Sequence, residues 1–201
     1  LEQRLQSAIV VGAEINVFGE ITPAIRLLGG VALIDGKQIK TANNGATDGR
    51  TALQQDEFHL VYQPRFRASD LRAVAAEVLI RWNHPQLGPV SPAEFIPVFE
   101  RTALMHGIPD WVVDRALDQL ARWHADGLPL NLSINYSARD MAREGAAERL
   151  IAGIDRRGLA CTRVEVEITE SQWLRADSQQ GVQLKRMADA GIRVAVDVFG
   201  S

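Results

Sequence analysis

The sequence predicts an α/β fold in which parallel strands alternate with helices, either an open parallel sheet or part of a (β/α)8 barrel. Leu130 to Asn135, Val164 to Ile168 and Ile192 to Asp197 each alternate apolar and polar residues at the period of a strand. Asn135, Glu167 and Asp197 stand at the ends of those segments at intervals of 32 and 30 residues, each the length of one β-helix-β unit. Between them, Ala138 to Ile154 and Gln179 to Ala190 suit helices. Such repeats connect with a right-handed sense and leave neighbouring strands parallel.

From the N-terminus, Leu1 to Val11 is expected to form an amphipathic helix, and Glu14 to Ile21 a strand interrupted at Gly19. A second apolar run, Ile25 to Ile34, is expected to break at Gly29-Gly30. From Asp35 to Arg50 the composition shifts to Gly, Lys, Asn and Thr, with turn signals at Asn43-Asn44-Gly45 and Asp48-Gly49. Residues 1–50 therefore read as an N-terminal segment with a linker, and residues 51–201 as a second unit. Phe58 to Gln63 is a strand expected to stop at Pro64, Leu71 to Ile80 a strand carrying Glu77, and Gln86-Leu87-Gly88 a turn. Ser91-Pro92-Ala93-Glu94 has the capping-box arrangement, in which the Ser and Glu side chains satisfy free backbone donors, and opens a helix to about Met105. Asp110 is the expected cap of the next helix, along which Val113, Ala116, Leu117, Leu120 and Trp123 recur at helical spacing before Gly127.

The chain has 201 residues, 46% of them hydrophobic, enough to bury a sizeable core, and a formal net charge of -3. That balance argues against a general nucleic-acid binder and leaves room for one phosphorylated ligand in a local basic pocket. No apolar run approaches the roughly 18 residues that span a bilayer. The single cysteine, Cys161, allows no intrachain disulfide, fits a cytoplasmic setting, and is expected to be buried filler. Beginning at Leu1 and stopping at Ser201 directly after a strand-like run, the chain reads as a fragment. His59, His84, His106 and His124 lack metal-ligand spacing, Trp82, Trp111, Trp123 and Trp173 read as packing residues, and Ser133 and Ser171 have no evident His partner for a nucleophile.

Glu77 sits inside the apolar run Ala73-Val74-Ala75-Ala76-Glu77-Val78-Leu79-Ile80, with Arg81 four residues on. An ionised carboxylate there is costly unless it is paired, hydrogen-bonded or bound to a metal. Alternate residues on a strand face opposite sides, so the polar sets ending in Asn135, Glu167 and Asp197 share one side while the apolar sets pack under helices. All three end at the strands' C-terminal tips, where functional groups of parallel α/β folds collect, and Glu77 can join them. Four oxygen donors without a matching Cys or His cluster suit Mg or Mn better than zinc. Two chemistries stay open on this pattern: two-metal phosphodiester hydrolysis, and glycoside hydrolysis by paired carboxylates.

A longer set of residues carries a resemblance. Tyr62-Gln63-Pro64, Glu77-Val78-Leu79 with Arg81-Trp82-Asn83-His84-Pro85, Phe95-Ile96-Pro97, Ser133-Ile134-Asn135, Glu167-Ile168-Thr169-Glu170-Ser171 and Asp197-Val198-Phe199-Gly200 resemble EAL domains, the cyclic-di-GMP phosphodiesterases. The resemblance runs in order from about residue 53 to 201. It implies a (β/α)8 TIM-type barrel whose first strand is antiparallel to the others, here partial and lacking its C-terminal strands, behind a short N-terminal α+β segment. The implied reaction is hydrolysis of one phosphodiester of cyclic di-GMP to linear pGpG by a two-metal mechanism using Mg or Mn. Glu77, Asn135, Glu167 and Asp197 match metal ligands, and Glu170 an acid of the catalytic site that supports a loop linked to a homodimer. Arg81 matches a substrate-phosphate contact, Gln63 a contact near a guanine, and Leu79 a further substrate contact. Glu20-Ile21-Thr22-Pro23-Ala24-Ile25 with Gly30-Val31-Ala32-Leu33 resembles the end of a GGDEF domain, without the diagnostic cyclase motif.

Two departures bear on activity. Val78 replaces the family's alanine, one small apolar residue for another. Val198 stands where the family has a second Asp that helps hold the second metal, and the strands supplying a Lys, another Glu and a Gln lie beyond Ser201. The expected chain is therefore an impaired phosphodiesterase, with a catalytically inactive cyclic-di-GMP receptor or a protein-interaction domain as the alternatives.

Overall fold

The computed structural model describes residues 15–22, 25–31, 49–101, 107–169 and 178–197. The chain divides into two units, Leu1–Ala46 and Thr47–Ser201. In the first, β1 (Ile15–Thr22) pairs antiparallel with β2 (Ile25–Val31), with a register shift between Glu20 and Thr22. Both strands run through the glycines expected to interrupt them: Gly19 lies opposite Leu27, Gly29 opposite Val17 and Gly30 opposite Asn16. A glycine weakens a strand through entropy and lost packing, yet it keeps its backbone N–H and C=O, so the ladder continues. The helix expected over residues 1–11 lies outside the described residues, as does most of the loop expected from Asp35 onward.

In the second unit α1 (Gly49–Gln54) forms where the linker was expected to reach Arg50, and β3 (Phe58–Phe66) pairs antiparallel with β4 (Ala73–His84). β3 does not stop at Pro64. Among the described strands it is an edge, paired only with β4, where a residue without an N–H is tolerated. β4 begins at Ala73 because Leu71 belongs to the preceding turn, with φ 54° and its N–H donated to Arg67 O at 2.8 Å. It extends to His84, where β5 (Gly88–Val90) folds back against it. β6 (Asn131–Asn135), β7 (Val164–Thr169) and β8 (Arg193–Asp197) complete a sheet of order β3-β4-β6-β7-β8, parallel from β4 onward. The result is the α/β, TIM-barrel-like arrangement with an antiparallel first strand.

α2 (Pro92–Arg101) opens on half of the expected box, the Ser91 N–H donating to Glu94 Oε2 at 3.4 Å; its end near Met105 falls outside the described residues. α3 (Ile108–Ala125) is capped by Gly107 at φ 84°, so Asp110 lies in the first turn instead of at the cap. Proline at the second helical position needs no donor there, which lets the helix start before Asp110. The single helix expected over Ala138 to Ile154 is two, α4 (Ala138–Met141) and α5 (Ala146–Asp155). Gly145 takes φ 71° between them, a conformation that terminates α-helical geometry. Ser137 and Asp140 cap α4 reciprocally. α6 (Gln179–Asp189) follows as expected.

The apolar residues of β6 and β7, Leu132, Ile134, Val164, Val166 and Ile168, are buried together with Leu117, Leu120, Leu150, Ile154 and Met187 from the helices. A second cluster joins Phe58 and Trp82 to Phe95, Phe99 and Ile108. Trp123 is buried, while Cys161 is half-exposed in a one-turn 3-10 helix and not in the core. His84 is structural, its Nδ1 accepting from Gln86 and Leu87 N–H. Trp82 Nε1 donates to Glu57 Oε2 at 2.8 Å, and Oε1 of that buried carboxylate has no partner among the described residues.

Glu57 thus depends on one indole. Replacing Trp82→Phe should destabilise the fold by about 1–3 kcal/mol, the cost of leaving a buried acceptor unpaired. The double variant Trp82→Phe/Glu57→Leu should recover most of that in a denaturant titration. A double variant as unstable as the single one would show that ring packing, not the hydrogen bond, sets the loss.

Candidate active site

Register places the polar side chains. Gln63 is opposite Glu77, Glu77 opposite Ser133, Ser133 opposite Glu165, and Asn135 opposite Glu167. Because each strand alternates, these residues share the sheet's inner face, while Val78, Ile134 and Val166 are buried on the other. The set climbs toward the strands' C-terminal ends, as the stagger of a barrel requires.

Three of the predicted ligands meet there. Asn135 Nδ2 donates to Glu77 Oε1 at 2.8 Å, which leaves the amide oxygen and Glu77 Oε2 free of that bond. Glu167 is 8% exposed, and its Oε1 accepts from both Ser133 Oγ and Arg65, the latter at 3.0 Å. Burial pushes the Glu167 carboxyl above the usual range; the Ser133 hydrogen bond and Arg65 act against this, while Glu77 and Glu165 add to it. Asn135 links the two acids, bonded to Glu77 and paired in register with Glu167, an arrangement of carboxylates that a cation between them would stabilise. Asp197 pairs through its backbone opposite Thr169 at the end of β8. Its side chain, together with Glu170 and Val198, lies outside what the structure describes.

Arg81 is half-buried and donates to the carbonyl of Ile80 at 2.9 Å; it forms no ion pair with any described residue. Burial lowers its pKa, and the neighbouring Glu77 charge opposes that. A guanidinium so placed is available to an anionic group. Leu79 and Arg81 line a cavity of about 320 Å³ with Pro92, Asn135, Tyr136 and Glu167. Gln63 is exposed on β3 and does not line it. Among the described residues no cluster of three His, Cys, Asp or Glu forms a metal site, because the third oxygen donor beside Glu77 and Glu167 is the amide of Asn135.

Sequence reasoning missed Arg65 and Glu165. Both have the parity of site residues, two positions after Gln63 and two before Glu167, and that parity was the signal available.

Comparison with known proteins settles the family. The EAL domain family model matches residues 47–201. The chain belongs to the EAL domain family. It is 44% identical over 147 residues to the cyclic di-GMP phosphodiesterase PA2567 of Pseudomonas aeruginosa, covering 73% of this chain and 25% of that protein. It is 33% identical over 158 residues to the bifunctional diguanylate cyclase/cyclic di-GMP phosphodiesterase MucR of the same organism, covering 77% of this chain and 23% of that protein. Among solved structures, the PaMucR phosphodiesterase in complex with c-di-GMP superposes with a TM-score of 0.71 at 32% identity, covering 77% of this chain and 63% of that one. The chain thus spans about a quarter of the two curated relatives' length. No helix among the described residues of this EAL chain is long and apolar enough to cross a membrane.

The two tyrosines test the register directly, since each is next to an inward residue and turns into the helix layer. Tyr62 packs edge-on against Trp123 at 4.9 Å, and burial pushes its phenol up to about 12; burial, with Asp140 and Asp110, raises Tyr136 as well. A raised phenol pKa favours the neutral folded form, so the stability it contributes is present below about pH 10 and is lost as pH rises beyond it. Spectrophotometric titration should show both tyrosines ionising well above the unfolded chain. A tyrosine titrating at the unfolded value would place its ring in water and the strand in another register.

Proposed function

We propose that this chain binds cyclic di-GMP at the Glu77, Asn135 and Glu167 end of the sheet, and that with a divalent cation the site is built to hydrolyse one phosphodiester to linear pGpG. The observation that carries this is the juxtaposition of oxygen donors, Asn135 bonded to Glu77 at 2.8 Å and paired in register with Glu167, with Arg81, which has no ion pair among the described residues, lining a cavity with Asn135 and Glu167. The names of the relatives, a cyclic di-GMP phosphodiesterase and a structure complexed with c-di-GMP, support the choice of substrate.

The donor set fits a hard divalent cation, Mg or Mn, because it consists of carboxylate and amide oxygens. Glu77, Asn135, Glu167 and Asp197 would hold it. When bound, such an ion acidifies water toward a nucleophile and offsets phosphate charge. Arg81 contributes a forked pair of donors to a phosphate, Leu79 packs against the bound nucleotide, and Gln63 reaches a guanine edge. Asn135 orients Glu77 through its N–H. Glu170, by its match to the family motif, supports the site in a homodimer.

Val198 favours impaired turnover, since a valine offers no oxygen to a second cation, and a catalytically inactive receptor for cyclic di-GMP is the second reading on the same observation. We read residues 1–50 as a linker with the end of a GGDEF domain and residues 51–201 as the N-terminal part of the EAL domain, acting in the cytoplasm.

Titration of cyclic di-GMP with and without Mn or Mg, followed by product analysis, tests this. Binding with slow, metal-dependent formation of pGpG is expected, and Val198→Asp should accelerate it. Binding without turnover under any metal would leave the receptor, and no binding at all would remove both readings. Arg81→Ala should weaken nucleotide binding by about 10-fold to 100-fold, the value of hydrogen bonds to a charged group.

A further inference from the structure

We propose that Arg65 is a positioning residue for Glu167: together with Ser133 it fixes Oε1 of that carboxylate, so that Oε2 is the oxygen presented to a divalent cation. The proposal rests on the metal reading above and adds a residue to it.

Arg65 lies on β3, at one edge of the sheet, and Glu165 and Glu167 lie on β7, three strands away. Strands are spaced by about 4.8 Å, so a side chain joins them only across the hollow of a strongly curved sheet. The guanidinium spans both acids. One terminal nitrogen donates to Glu167 Oε1 at 3.0 Å and the other to Glu165 Oε1, the second bond being short. The planar fork suits two carboxylates two residues apart on one strand face, where a lysine ammonium would serve one as a point charge.

Ser133, fully buried on β6, donates to the same Oε1 of Glu167 and lies 3.4 Å from Glu165 Oε1. Oε1 thus takes two donors, while Oε2 accepts from no described residue. Arg193 approaches the far oxygen of Glu165 at 3.8 Å, so Glu165 sits between two arginines and serves as the anchor that holds Arg65. Three acids, Glu77, Glu165 and Glu167, face one hollow, and the arginine supplies the fixed positive charge beneath them. A neighbour that orients a metal-binding carboxylate typically changes metal affinity by about 10-fold to 100-fold when removed.

Mn(II) binding measured by electron paramagnetic resonance on the wild type, Arg65→Gln, Arg65→Lys and Ser133→Ala tests this, with circular dichroism melting to establish that each is folded. Cyclic di-GMP binding in the presence of chelator supplies the comparison. Arg65→Gln should weaken Mn(II) binding by about 10-fold or more, and Arg65→Lys should recover part of it. Ser133→Ala should shift it in the same direction, and in each variant the loss of Mn(II) affinity should exceed any change in metal-free nucleotide binding. Should Arg65→Gln fail to fold, the serine and lysine variants decide. Folded variants with wild-type Mn(II) affinity overturn the role of Arg65 alone. A wild-type protein that binds no Mn(II) overturns the metal reading itself, and the proposal with it.

Discussion

Parallel register is the constraint on which the inner face depends, since Glu77, Ser133, Glu165, Asn135 and Glu167 meet only because β4, β6 and β7 align as they do. Side-chain period is two, so a slip of one residue would send each of these groups into the helix layer and bring Val78, Ile134 and Val166 into the hollow. Burial of Leu132, Ile134, Val164 and Val166 beneath the helices makes that slip expensive, each side chain being worth roughly 1.5–3 kcal/mol. The core thus enforces the position of the acids without touching them.

The acids in turn impose a cost that the fold offsets locally. Glu167 is buried beside other carboxylates, and burial raises its pKa; Ser133 and Arg65 counter this with a hydrogen bond and a charge. Glu77 is steadied by Asn135, a neutral donor that adds no charge. These partners leave one oxygen of each carboxylate uncommitted among the described residues. Arg81, without an ion pair among the described residues, supplies positive charge at the cavity, which is a reasonable division of labour for a ligand that carries phosphates.

The parallel strands and their inward residues were legible in the sequence because strict alternation and apolar burial agree there. Asn135 and Glu167 follow from that agreement, whereas Glu77 stood out as a lone acid in an apolar run. What escaped it was local backbone chemistry: Gly107 caps α3 in place of Asp110, Gly145 divides a helix read as one, and Pro64 stays inside an edge strand. Propensity treats glycine and proline as breaks, whereas tertiary pairing decides whether they are. Arg65 escaped for a different reason. Its partners are 100 and 102 residues away, a relation that spacing along the chain does not encode.

The most direct measurement is an anomalous difference map from crystals grown with Mn(II) and cyclic di-GMP. The expected peak lies about 2.0–2.2 Å from oxygens of Glu77, Asn135 and Glu167, with a phosphate of the nucleotide between the ion and Arg81. A bound nucleotide elsewhere, or a manganese peak away from these three residues, would contradict the site.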